Sequence, residues 1–99
     1  MVIQKKINVI IFGASGSIGM NLAKKYYNNG HNLYLYLRSK KKIISMKKLF
    51  PQKLKQITEF EYIDLTDKKN LKNNLKKNKN IFINADILIN TMGEQGEIN

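Results

Sequence analysis

Apolar positions along the chain switch between two rhythms. Ile7–Phe12 (INVIIF) is apolar but for Asn8 and suits a strand in the middle of a parallel sheet. From Ser17 to Asn29 the rhythm lengthens. Ile18, Leu22 and Tyr26 recur every four residues, as along one helix face, and Asn29-Gly30 supplies a stop. Leu33–Leu37 (LYLYL) predicts a second strand with leucines on one face and tyrosines on the other. Lys40–Leu49 returns to the helical period, with Ile43, Met46 and Phe50 on one side and Pro51 as its close. Ile57–Ile63 reads as a third strand. Asp64-Leu65-Thr66-Asp67 then makes a turn in which Thr66 or Asp67 can cap the next helix. That helix is expected from Asp67 to Phe82, with Leu71, Leu75 and Phe82 at helical spacing, and Asp86–Thr91 is expected as a fourth strand.

Strands that alternate with helices imply right-handed crossovers and a parallel sheet. The fold class expected is α/β: a partial, Rossmann-type doubly wound parallel sheet, β-α-β-α-β-α-β, with strand order 3-2-1-4. Ninety-nine residues suffice for one small domain and not for two. In that order the fourth strand lies beside the first, where the sheet should continue. A strand as apolar as Ile87-Leu88-Ile89 makes a poor exposed edge, because unpaired backbone groups there invite association. The expectation is further chain after Asn99 or pairing into a homo-oligomer.

Directly behind the first strand stands Phe12-Gly13-Ala14-Ser15-Gly16-Ser17-Ile18-Gly19, with glycines at three-residue intervals. A bare GxxGxxG occurs by chance in many loops, and its position between an apolar strand and a helix is what gives it weight. Gly13 would permit a tight turn, Gly16 would keep a Cβ away from a phosphate, and Gly19 would let the helix pack close to the strand. The helix start would then offer free N–H groups and a partial positive charge to a pyrophosphate.

Four segments together resemble the short-chain dehydrogenase/reductase family and fall in register without gaps. Gly13–Gly19 is similar to its cofactor turn, and Leu37-Arg38 ends the second strand, where the family chooses between NAD and NADP. Asp64-Leu65-Thr66-Asp67 resembles its Asp-containing turn, and Asp86-Ile87-Leu88-Ile89-Asn90-Thr91-Met92-Gly93 resembles its D-x-L-V-N-N-A-G segment. Residues 1–99 are thereby identified as the N-terminal portion of an NAD(P)-binding Rossmann domain, about the first two-fifths of a typical member. The chain also departs from the pattern. Ser17 replaces the usual second glycine, Gly16 supplies one a position earlier, and Phe12 replaces a threonine. The first-fourth-seventh glycine spacing occurs in the family's longer, nucleotide-sugar-modifying branch. Of Asn-Asn-Ala-Gly only Asn90 and Gly93 remain.

The resemblance implies a dinucleotide cofactor bound by Gly13, Ser15, Gly16, Ser17, Ile18, Gly19, Arg38, Asp64, Leu65, Asn90 and Gly93. Within it, Asp64 would meet the adenine amino group or simply cap its own turn. Asn90 would hold sheet and pocket together, and Gly93 would leave room beside a ribose. The choice of cofactor has a physical basis. An acid at the end of the second strand would bond ribose hydroxyls and repel a 2′-phosphate; here Leu37 stands there, followed by Arg38. The guanidinium fork suits a phosphate dianion, with Ser15 and Lys40 as further help. NADP is expected over NAD.

Composition mostly removes alternatives. There is no cysteine and a single histidine, His31, expected to be solvated in its Gly-His-Asn turn, so no metal site and no thiol nucleophile is expected. No stretch approaches the roughly 20 apolar residues of a membrane span, and Lys5-Lys6 before Ile7 lacks a signal peptide's apolar length. A cytoplasmic protein without a membrane partner is expected. The net charge of +11 could suit a polyanion. Yet lysine supplies 17 of 18 basic residues beside much asparagine and isoleucine, the signature of AT-rich codons, and the lysines are scattered over polar helix faces. With one arginine and no cluster of stacking aromatics, no nucleic-acid partner is expected.

The family's chemistry rests on a Tyr-x-x-x-Lys pair sharing one helix face after the fourth strand. Tyr36-Leu37-Arg38-Ser39-Lys40 matches by letter only, since Tyr36 is on a strand and Lys40 lies beyond its end. No catalytic residue is assigned in this chain. The leading reading is the NADP-binding half of an oxidoreductase that interconverts a small-molecule carbonyl and alcohol by hydride transfer. The alternatives are a sugar-nucleotide epimerase, dehydratase or reductase, and a non-catalytic dinucleotide-binding or redox-sensing module.

Overall fold

A computed structural model of the chain describes residues 5–92. Val9, Ile10 and Ile11 are wholly buried, as only a strand covered on both faces can be. That strand, β1 (Asn8–Phe12), is central. It pairs in parallel with β2 (Asn32–Leu37) on one side and β4 (Ile87–Asn90) on the other, and β2 pairs in parallel with β3 (Thr58–Tyr62). The sheet order is β3-β2-β1-β4. Helices α1 (Ser17–Asn28) and α2 (Lys40–Leu49) follow β1 and β2, while α3 (Lys68–Lys77) and α4 (Lys79–Ile83) connect β3 to β4. This is the Rossmann-type doubly wound arrangement expected from the alternating pattern. Among the described residues, no helix is long and apolar enough to cross a membrane.

The alternation in β2 determines which face meets which helices. Leu33, Leu35 and Leu37 pack in one layer with Val9, Ile11, Ala23, Tyr27, Met46 and Phe50. Tyr36 packs on the opposite face with Ile10, Phe12 and Ile63, joined by Leu71, Ile81 and Phe82. Each fully buried leucine contributes about 1.5–3 kcal/mol. A one-residue slip would turn all three leucines to the wrong layer, so the register is strongly specified. A polar seam fixes it further at the strand starts. The Asp86 carboxylate accepts from the Asn8 N–H at 2.8 Å, Asn32 Nδ2 donates to Asn8 Oδ1 at 2.9 Å, and Asn32 Oδ1 accepts from the Ile57 N–H at 2.8 Å. The seam ties the starts of all four strands and leaves their carboxyl ends to the loops.

Three expectations change. The helix expected from Asp67 to Phe82 is two helices, broken at Asn78. Asn74 Nδ2 donates to the Asn70 carbonyl at 3.0 Å and Asn78 Nδ2 to the Asn74 carbonyl at 3.1 Å. Asparagine side chains that bond carbonyls one turn back compete with the backbone ladder and bring the turn to an end. Because their amides are satisfied this way, Asn74 and Asn78 are buried, and Leu75 is rotated outward to 48% exposure. Ile18, placed on the inner stripe of α1 by its spacing, is likewise exposed, whereas Leu22 and Tyr26 pack on the core.

His31 is buried rather than solvated. Gly30, at φ +82°, closes α1: its N–H donates to the Tyr27 carbonyl and the His31 N–H to the Tyr26 carbonyl. This paired closure lays the residue after the glycine against the last turn of the helix. The His31 ring accordingly sits 5.9 Å from the Tyr26 ring, and its Nδ1 accepts from the Ile7 N–H at 3.2 Å. Asp67, as expected, caps α3 by accepting from the N–H groups of Lys69 and Asn70.

Candidate functional site

In a sheet ordered β3-β2-β1-β4, successive strands step to one side of β1 and the fourth returns to the other, so the order reverses between β1 and β4. At such a switch point open α/β sheets bind ligands outside the strands' carboxyl ends. The parallel register carries the predicted residues to that edge. Phe12 lies beside Tyr36 and Asn90, and Leu37 beside Tyr62. Gly13, Arg38, Asp64 and Thr91 therefore follow within two residues of adjoining strand ends.

Gly13 has φ +84°, a conformation that L side chains rarely adopt. Its N–H donates to the Tyr36 carbonyl at 2.9 Å and its carbonyl accepts from the Gly16 N–H at 3.2 Å, which closes the turn. A Cβ on Gly13 would fall 2.5 Å from Thr91 Oγ1 and 3.0 Å from the Met92 nitrogen. A Cβ on Gly19 would overlap the Gly13 carbonyl oxygen and lie 2.8 Å from Ala14 Cα. The first turn of α1 is thus pressed against the glycine turn itself. Gly16 is the N-cap of α1, in an extended conformation at φ −75°.

The helix starts differ in how they are satisfied. Ser39 accepts from the Lys42 N–H at the start of α2, and Asp67 caps α3, but among the described residues no side chain caps α1 or the short α4. The first helix thus presents the uncapped donors and partial positive charge of its N-terminus beside the turn. Ser17 and Ile18 of that first turn are exposed and Ser15 is half-buried.

Leu37 is wholly buried in the leucine layer, so Arg38 is the side chain that faces solvent at the end of β2. No hydrogen bond or ion pair holds Arg38 among the described residues. Asp64 Oδ1 accepts from the Thr66 hydroxyl at 2.7 Å and the Thr66 N–H at 3.0 Å, the geometry of a turn-forming aspartate. These two bonds, with smaller help from the Arg38 charge, hold its carboxyl below the usual carboxylate value. Leu65 packs partly into the layer of Tyr36 and Phe12. Asn90 folds its Oδ1 onto the Met92 N–H at 3.0 Å. Gly93 lies outside the described residues.

The lowered value of Asp64 predicts a pH dependence. A carboxylate whose folded-state value is depressed adds stability above its unfolded value, and that stability is lost as pH falls through the folded one. Urea melts stepped from pH 6 down into that range should lose stability, and Asp64→Ala should flatten this part of the profile. An unchanged profile in Asp64→Ala would show that the Thr66 bonds do not hold in solution.

Tyr36 is unsuited to acid–base work. Burial, then the carboxylates of Glu61 and Glu59 and the ionisable hydroxyl of Tyr34, push its hydroxyl up to about 12, away from the range a proton shuttle needs. Lys40 stands over the Tyr62 ring, with Nζ 5.3 Å from its centroid.

The family model described as short chain dehydrogenase matches residues 7–98. The chain belongs to the short-chain dehydrogenase family. Its sequence is 29% identical over 91 residues to an uncharacterized oxidoreductase of Staphylococcus saprophyticus, covering 92% of this chain and 38% of that protein. Among solved structures it resembles a bulky-bulky ketone specific alcohol dehydrogenase of Comamonas testosteroni, with TM-score 0.70 and 25% identity, over 86% of this chain and 35% of the other. The L-sorbose reductase of Gluconobacter frateurii, solved with NADPH and L-sorbose, shares the fold at TM-score 0.67 and 22% identity, over 89% of this chain and 34% of that one. The chain thus spans 38% of the length of that oxidoreductase and 34–35% of these two solved structures.

One residue at the site figures in the sequence only as a departure from a motif. Thr91 is buried, and its Oγ1 lies 3.0 Å from the Phe12 carbonyl and 2.9 Å from the Gly13 carbonyl. The available signal was topological: a 3-2-1-4 order puts the end of the fourth strand beside the turn that follows the first.

Proposed function

We propose that this chain forms the dinucleotide-binding half of an NADP-dependent oxidoreductase that interconverts a carbonyl and an alcohol. The observation that carries the reading is the turn at Gly13, held at positive φ, walled where a Cβ would stand, and set against an uncapped helix start. A pyrophosphate needs that combination of backbone donors, positive potential and close approach. The residues present therefore fit the cofactor. Gly13, Ser15, Gly16, Ser17, Ile18 and Gly19 would hold the pyrophosphate, and Arg38 the 2′-phosphate. Asp64 would accept from the adenine amino group, since its Oδ2 has no partner among the described residues. Leu65, Asn90 and Gly93 would line the remainder.

When bound, the dinucleotide supplies the hydride donor or acceptor. The chain's own residues bind and orient it, and no proton-transfer group is assigned among them. Family membership and the oxidoreductase names of the relatives support the reaction class.

The test is calorimetric titration of the intact protein with NADPH and with NADH. Binding of NADPH at least about tenfold tighter than NADH is expected if Arg38 forms a charge-assisted bond with the 2′-phosphate. Equal affinities would overturn the cofactor choice, and no binding of either would overturn the whole reading.

A further inference from the structure

The glycine turn is held from the far side by the fourth strand, and one side chain does the holding. The Thr91 N–H donates to the Phe12 carbonyl at 2.9 Å, which continues the β1–β4 ladder by one bond. Its hydroxyl then reaches both the Phe12 and the Gly13 carbonyls. A hydroxyl has one proton, so the two carbonyls share it in a three-centre bond. Thr91 is only 4% exposed, so water does not readily replace that proton.

The Gly13 carbonyl is thereby fixed on three sides. Thr91 Oγ1 donates to it, the Gly16 N–H donates to it at 3.2 Å, and the face of α1 at Gly19 leaves no room for a methyl group against it. A peptide group is a rigid plane, so fixing the Gly13 carbonyl also fixes the Ala14 N–H on its opposite edge. Glycine would otherwise turn this plane with little steric resistance. The same packing explains the residue type, since Thr91 Oγ1 occupies the space a Cβ on Gly13 would need.

We propose that Thr91 is a positioning residue for the dinucleotide: its hydroxyl, shared between the Phe12 and Gly13 carbonyls, locks the glycine turn in the shape that receives the pyrophosphate. The inference rests on the reading of that turn as the cofactor site. It assigns cofactor affinity to a strand-end residue that need not touch the cofactor.

The test compares Thr91→Val, which keeps the shape and loses the hydroxyl, with Thr91→Ser, which keeps the hydroxyl, in the intact protein. NADPH binding should weaken about tenfold in Thr91→Val, as expected for a lost buried hydrogen bond, and return to within about twofold of wild type in Thr91→Ser. Amide hydrogen exchange without cofactor supplies a second readout. Gly13, whose N–H bonds the Tyr36 carbonyl, should exchange faster in Thr91→Val while Val9–Ile11 keep their protection. Wild-type exchange at Gly13 together with wild-type affinity in Thr91→Val would overturn the proposal. If Thr91→Val does not fold, a Thr91→Ser variant that binds NADPH as weakly as Thr91→Ala overturns it equally. If wild type binds no dinucleotide, the cofactor reading fails, and the exchange comparison still decides whether Thr91 locks the turn.

Discussion

Replacing Gly13 by alanine should abolish dinucleotide binding and destabilise the fold by on the order of 3 kcal/mol, with Gly19→Ala close behind and Gly30→Ala far milder. The three glycines separate two physical causes. At Gly13 both operate, because φ is +84° and an added methyl meets Thr91 and the Met92 backbone. At Gly19 the backbone is helical and only space is at issue, but the obstructing atoms are the backbone of Gly13 and Ala14, which cannot swing aside as a side chain can. A cost of about 1–3 kcal/mol is expected there, with the damage directed into the turn itself. At Gly30 the φ of +82° remains while nothing among the described residues lies within 4 Å of the added methyl, so only the conformational cost of about 1–2 kcal/mol is expected. Chemical denaturation of the three variants, with NADPH titration of each, checks the ranking. Gly30→Ala should bind NADPH as wild type does. If Gly30→Ala were as damaging as Gly13→Ala, the account of the turn as the tightly packed element would be wrong.

Arg38→Ala should weaken NADPH binding by about 10- to 100-fold and leave NADH binding nearly unchanged. Arg38 stands exposed at the end of β2, and no carboxylate pairs with it among the described residues. Its charge therefore remains available to an incoming anion, and it lowers the carboxyl of Asp64 only modestly. Arg38→Lys separates charge from shape. An ammonium keeps the charge but loses the planar fork, so an intermediate affinity for NADPH is expected. Titration of the three proteins with both cofactors distinguishes this from a general loss of structure, which would weaken both equally. An unchanged NADPH affinity in Arg38→Ala would show that the 2′-phosphate is recognised elsewhere.

Much of the architecture was legible because strands and helices leave different apolar periods. LYLYL in β2 foretold the two core layers, and the helix between each pair of successive strands foretold the parallel order. Residues whose burial depends on bonding partners were less legible. Asn74 and Asn78 are polar by composition, yet bonds to carbonyls one turn back satisfy their amides and let the helix rotate Leu75 outward. His31 followed the same logic, since the helix closure and the Ile7 N–H give its ring a buried place that the neighbouring Gly30 and Asn32 do not advertise. At the site, the glycines were visible because their spacing is itself a geometric constraint. Thr91 was not, because its partners are carbonyls 78 and 79 positions away in sequence. Only the strand order brings them together.

The most direct test of the central claim is residue-resolved. Backbone amide NMR of the intact protein titrated with NADPH should show saturable shifts concentrated at Gly13–Gly19, Arg38 and Asp64, with the lysine-rich outer faces of α2 and α3 unaffected. Shifts spread over those lysines without saturation at the turn would mean that the protein's net charge, and not the glycine turn, collects the anion.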